Sequence, residues 1–383
     1  MRRTPRLSGK FLVVLALAGF AVAPVAAQRV EGSRAAASGL YEAEVPVNSQ
    51  GAGDREAGFA RALAEVLGKI SGDRGAAGRP GVAAELSNAG DYVDGYDYRQ
   101  DEGTTAGGAP SYRTTLVVRF DEAAVEDLAA ALGIPVWPTP RPKPVLWLAI
   151  DDGSGPRLVG VRQNDVARPL TARAIERGYR LGLPAGSAAE RAVVGAIWRG
   201  DTAAVARASS RYKPPMQLVG KLYRKGNGWR ADWIFVDDGR VLSSWSAEER
   251  DARQALAAGA DGAADALASR YAKAPPTDPA GNFRVAFSGI DGTDDYLRLS
   301  AWLQGVPVVT DITPLSATGD ALEFELALST GLSGFARMAA RSEVVEAIDD
   351  GSASGAPAPD TAPADAVPVD AMPATRSARY RVL

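Results

Sequence analysis

The residues in this 383-residue chain whose types and spacing could do chemistry are four adjacent aspartate pairs: Asp151 with Asp152, Asp237 with Asp238, Asp294 with Asp295, and Asp349 with Asp350. Paired carboxylates can hold magnesium or calcium, or divide into a general acid and a general base. Each pair also lies among turn residues or at a helix start, where aspartate is favoured by its backbone hydrogen bonds and by the helix dipole. That local reading covers all four. Asp151 and Asp152 keep a functional alternative, because they end the apolar run 145–150, and α/β sheets place ligands at the carboxyl ends of their strands. The glycines of the same DDGSG stretch do not make a phosphate loop: no lysine follows, the GxGxxG spacing is missing, and two carboxylates would repel a phosphate.

Aromatic residues give the second candidate. Five of the seven tryptophans fall between residues 145 and 245, and Trp229 with Trp233 could form a platform for a sugar or a peptide. The competing reading is burial. The two are four apart on a predicted strand, share a face with Ala231, and precede an alanine-rich helix. Histidine and cysteine are both absent, which excludes serine–histidine and cysteine–histidine catalysis, disulfides, and zinc chemistry built on those ligands. No metal and no cofactor are expected.

The elements that must position these residues follow from periodicity. A strand at 40–47 precedes a helix at 54–70, with Phe59, Leu63, Val66, Leu67 and Ile70 on one face and Gly72 as its cap. Strands at 92–99 and 111–120 and a helix opened by Asp121 complete a strand, helix, strand, strand, helix order. PVWPTPRPKP at 135–144 reads as a semi-rigid extended linker. Beyond it, 145–150 is continuously apolar, as in a strand covered on both faces. Three antiparallel strands in 216–245 meet at Gly226-Asn227-Gly228 and Asp237-Asp238-Gly239. Ser246 and Glu249 then fit a capping box for a helix over 247–273. After a linker at 275–282, the strand, helix, strand, strand, helix order returns over 283–348, its last helix expected at 332–348.

The predicted architecture is therefore multi-domain, α+β with an α/β centre. Two small βαββα domains, each like half of a ferredoxin sheet, at 40–134 and 283–348 flank a central α/β domain at 145–274 with its antiparallel hairpin. Residues 1–27 read as a signal peptide. Arg2, Arg3, Arg6 and Lys10 precede the apolar run 11–23, and cleavage is placed near Ala27. A flexible leader at 28–39 follows, and 349–383, rich in Ala, Pro and Asp, is expected to be disordered, with 379–383 as a possible short strand or docking peptide. No later stretch is long enough to span a membrane. Losing the four leader cations takes the formal net charge from −3 to −7. Without a basic run, nucleic acid is not an expected partner.

Several stretches together resemble a bacterial envelope family catalogued as domain of unknown function 2066: LYEAEVPV, REAGFARALAEVLGKISGD, RPKPVLWLAIDD, IWRGD and LVGKLYRKGNGWRADWIFVDDGRVLSSW. The resemblance spans most of 40–345 and implies no activity or site residues. The middle domain is also loosely similar to the N-terminal α/β domains of the translocation protein TolB and of curli assembly. The expected function is a periplasmic, non-enzymatic binding or envelope-assembly accessory module, whose partner is an envelope protein or a cell-wall component. The alternative is a histidine-free hydrolase, acidic-residue or metal-dependent, at Asp151 and Asp152.

Overall fold

The computed structural model describes residues 28–29, 39–104, 110–212, 216–348 and 377–383. The predicted signal peptide, most of the leader, and 349–376 lie outside them. Among the described residues the fold is mixed α+β and built on three sheets, and no helix is long and apolar enough to cross a membrane.

The first sheet has the order β1-β3-β4-β2 and is formed by β1 (Gln28–Arg29), β2 (Glu42–Val47), β3 (Val93–Thr104) and β4 (Pro110–Phe120). Across it lies α1 (Ala52–Ser71), with the short α2 (Val82–Ser87) before β3 and α3 (Glu122–Ala131) after β4. The predicted stripe of α1 is its buried face: Phe59, Leu63, Val66, Leu67 and Ile70 are all removed from water. Gly58 lets the helix approach so closely that a β-carbon there would stand 2.5 Å from Leu116. On edge strand β2, outward carbonyls are already taken. Arg61 donates to Pro46 O at 2.8 Å and the buried Lys69 donates to Glu42 O at 2.5 Å, which protects the edge against pairing with another chain.

The central sheet, in the order β6-β5-β7-β8-β9, contains β5 (Val145–Asp151), β6 (Arg157–Val159), β7 (Met216–Lys225), β8 (Gly228–Asp237) and β9 (Arg240–Glu249). Its β5 is buried along its whole apolar run. One face carries α4 (Asn164–Glu176) and α8 (Ala252–Tyr271). The other carries α6 (Val194–Arg199) and α7 (Thr202–Ser209), preceded by α5 (Ala188–Arg191). The predicted capping box at Ser246 and Glu249 does not form. Instead β9 continues to Glu249, opposite Trp229, and α8 begins at Ala252 with Asp251 as its N-cap, accepting from Arg253 N at 2.9 Å. A continuous ladder against β8 outweighs the two local bonds of a capping box.

In the third sheet, of order β11-β12-β10-β14-β13, the strands are β10 (Gly281–Ser288), β11 (Val309–Thr318), β12 (Ala321–Leu328), β13 (Val345–Ala347) and β14 (Ser377–Val382). Its helices are α9 (Thr293–Gly305) and α10 (Gly331–Ala339). One expectation is corrected here: the helix predicted over 332–348 ends at Ala339, and Val345–Ala347 is a strand. Of the two alternatives for 379–383 beyond the disordered reading, the short strand forms, as Ser377–Val382 in the interior of the sheet. β13 and β14 pair with each other, and local periodicity along either segment does not show that ladder. The first and third sheets also share one continuous core. Val125 and Leu128 of α3 join Phe287 and Phe335 in a single cluster, and Arg341 donates to Ala124 O at 3.0 Å. The central sheet is inserted in sequence between two parts of that body. The structure gives no independent support for reading the flanking parts as separate ferredoxin-like halves.

Candidate functional site

A cleft of about 1050 Å³ opens between α1 with the neighbouring strands of the first sheet and α4 of the central sheet. Its walls carry Glu44, Glu65, Lys69, Arg74 and Arg99 on one side and Arg168, Arg173, Glu176 and Arg177 on the other, with Ala64, Ala77, Ala172 and Ile175 between them. Each charged group is placed by an element whose buried face is elsewhere. Glu65 and Lys69 are one turn apart beside the apolar stripe of α1, and Arg173 and Arg177 are one turn apart beside Leu170 and Ala174 of α4.

An ion network behind the α4 wall holds it rigid. Arg177, whose side chain is only 4% exposed, donates to Asp261 at 2.7 Å, to Asp265 at 2.6 Å and to Gly72 O at 2.8 Å. Arg173 donates to the same Asp261 oxygen at 2.9 Å and to Glu176 at 2.9 Å. Arg74 reaches Asp261 and Asp265 from the α1 side at 3.6 and 3.5 Å. Burial pushes the Asp261 carboxyl up, but the hydrogen bonds and charges of Arg177 and Arg173 outweigh it, and the net shift is downward. A carboxyl whose folded pKa lies below its unfolded value contributes stability that is complete above the unfolded value and lost as pH falls through the folded one. The melting temperature is therefore expected to drop as pH falls below about 4. Asp261→Asn should lower it at neutral pH and flatten that acid dependence; an unchanged acid profile in melts from pH 7 to pH 3 would show that the network is idle.

On the other wall, loss of solvent raises the Glu65 carboxyl although its outer edge remains exposed, and burial lowers the Lys69 amine. The two would resemble an acid–base couple, but the Lys69 amine is spent on Glu42 O at the β2 edge. Arg99 is held between Glu44 at 2.6 Å and Asp101 at 2.7 Å. Arg168 is exposed and has no side-chain partner among the described residues.

The residues expected from sequence are not brought together. Asp151 accepts from Gly153 N at 2.9 Å and Gly155 N at 3.0 Å, and so closes its own turn. Asp152 accepts from Arg157 at 2.7 and 3.0 Å, and this guanidinium, with the Ser154 N–H, holds its carboxyl well below the usual range. Among the described residues, no three carboxylates converge as a metal site. Trp233 is 1% exposed and lies in the core beneath α8. Trp229 is half-buried, with the Arg224 guanidinium 4.1 Å over its ring. The cleft residues escaped sequence reading. One signal could have found part of the site: Arg173 and Arg177 match Asp261 and Asp265 in spacing, each pair four apart on its helix.

Residues 35–138 match the family described as Domain of unknown function (DUF8605). This corrects the resemblance to domain of unknown function 2066, which finds no support, nor does the looser likeness to TolB and curli-assembly domains. No curated protein and no solved structure matches the chain. The matched segment carries the α1 wall of the cleft, including Glu65, Lys69 and Arg74, while the α4 wall lies beyond it.

Proposed function

We propose that this protein is an exported, non-enzymatic binding module of the cell envelope, and that its partner inserts a polar segment into the cleft between α1 and α4. The observation that supports this reading is the cleft itself. It is wide and open, its walls come from two different sheets, and Glu44, Arg74, Arg99, Arg173, Glu176 and Arg177 are tied into ion pairs that hold them in place. Preorganised walls of this kind lower the ordering cost of binding. Arg168, exposed and unpaired among the described residues, is the cation most available to an acidic group of the partner. The hydrolase reading at Asp151 and Asp152 draws no comparable support, since both carboxylates are engaged in closing their own turn.

A photo-crosslinking residue at Ala172, exposed in the cleft, tests the proposal against one at Thr313, exposed on β11. In cells, adducts with an envelope component of unchanged mass are expected from the first position and not from the second. Arg168→Glu should reduce them on the order of tenfold, as expected for loss of a charged hydrogen bond and gain of a like charge. Identical adducts at both positions, or none at either, would remove the cleft as the binding site.

A further inference from the structure

We propose that a pocket beside the proline-rich linker binds a small apolar carboxylate, whose chain lies against Leu40, Pro142 and Ile175 and whose head group meets Lys143. The pocket, about 370 Å³, is formed between the linker, Leu40 and the C-terminal end of α4, a size at the small end of the range of roughly 300–1000 Å³ for small-molecule sites. Local chemistry builds it. Pro144 biases Lys143 towards extended backbone, and Gly182 N donates to Pro144 O at 2.8 Å, which ties the linker to the chain beyond α4. After α4 comes Gly178 at φ 78°, whose missing side chain leaves room: a β-carbon there would lie 2.3 Å from Arg141 Nη1 and 3.3 Å from Leu40 Cδ2. Tyr179 then turns into the core, where its hydroxyl donates to Ala260 O at 2.8 Å. Leu40, Pro142 and Ile175 stay half-exposed along the pocket.

Charge selects the ligand. The lining holds the cations Arg141, Lys143 and Arg180 and no carboxylate, in a chain of formal net charge −3. Arg141 is the fixed one. Its guanidinium donates only to the carbonyls of Lys69, Ile70, Trp137 and Gly178, so the charge is held in place without a counter-anion. Loss of solvent lowers its pKa, and only Tyr41 acts the other way. A half-buried cation with no anion is costly, and it makes the space beside it favourable for negative charge. Lys143 is exposed and has no side-chain partner among the described residues, so its ammonium can close on a carboxylate in a charge-assisted hydrogen bond. The apolar wall covers the rest of the ligand, whose burial adds to the affinity. Ile175 lines both this pocket and the cleft between α1 and α4, and the other lining residues of the two differ.

Calorimetric titration of the full chain tests the site with octanoate, which has both head group and apolar body, octanol, which has only the body, and acetate, which has only the head group. Octanoate is expected to saturate at one per chain, to bind at least about tenfold tighter than either of the others, and to weaken as salt rises. Lys143→Glu should reduce its affinity by about tenfold or more, and the exposure of this side chain leaves the melting temperature unchanged. Leu40→Glu, which sets a carboxylate against the apolar wall, should abolish octanoate binding. Arg168→Glu in the cleft should leave it unaltered, which separates this site from the one proposed above. No saturable octanoate binding, equal affinity for octanoate and octanol, or an unchanged titration with Lys143→Glu overturns the proposal. So does co-sedimentation with phosphatidylglycerol vesicles in the absence of octanoate binding, which would make the patch a membrane contact.

Discussion

Arg141→Ala is expected to lower the unfolding free energy by about 3 kcal/mol, because it removes a half-buried cation from four carbonyl acceptors left without that partner. Its guanidinium donates to Lys69 O at 2.7 Å and Ile70 O at 3.0 Å in the last turn of α1, to Gly178 O at 2.8 Å just beyond α4, and to Trp137 O at 2.7 Å. It also stacks 4.3 Å over the Trp137 ring. One side chain thus caps the C-terminal ends of two helices from two different sheets, where the helix dipoles favour a cation. Loss of solvent lowers its pKa to about 10, which leaves it charged at neutral pH. Arg141→Lys should recover little, since an ammonium cannot reproduce the planar fork of donors. Chemical denaturation measures the effect, and a loss below about 1 kcal/mol would mean that the carbonyls find water instead. Because the same residue joins the two walls, the variant should also weaken Ala172 crosslinking.

Trp233→Ala is expected to cost about 3–5 kcal/mol, the range for emptying a large aromatic site in a core. The indole is received by two glycines: a β-carbon on Gly220 would lie 2.1 Å from the ring, and one on Gly259 would lie 2.5 Å from it. Those absent side chains on β7 and α8 form the slot, and the strand and helix then pack closely around the ring. The Trp233 indole N–H is buried without a partner, a cost that partly offsets the packing. Trp233→Phe should therefore be much milder than Trp233→Ala, because it keeps a ring and removes the orphaned donor. Equilibrium unfolding of the two variants separates the terms. An alanine variant of unchanged stability that had lost binding to a sugar or peptide would restore the aromatic-platform reading and contradict the core assignment.

Much of the fold was legible from local pattern. The stripe of α1, the all-apolar β5 and the Gly226-Asn227 hairpin are written in periods of about 3.6 and 2 residues and in turn chemistry, which act over a few residues. The failures came where two elements decide each other. β9 outran a plausible capping box because β8 offered it a ladder. Likewise β13 fell within a predicted helix because the ladder that β14 offers it lies outside any local window. A short polar strand has no signature until its partner is in place.

The candidate site divides in the same way. By itself the sequence determined that thiol and imidazole chemistry are absent and that the Asp151–Asp152 pair favours a local turn, and it holds the four-residue spacings that put Arg173 with Arg177, and Asp261 with Asp265, on one helix face each without showing that they pair. Only the tertiary structure decided that those two faces meet across 84 and 88 residues of chain, that Arg141 lies half-buried between two helix ends, and that α1 and α4 leave a cleft between them. The physical reason is one of range. Periodicity records which face of an element leaves water, because burial acts on each side chain separately, whereas the partner that covers that face is chosen by packing and charge between distant segments, which no local window contains.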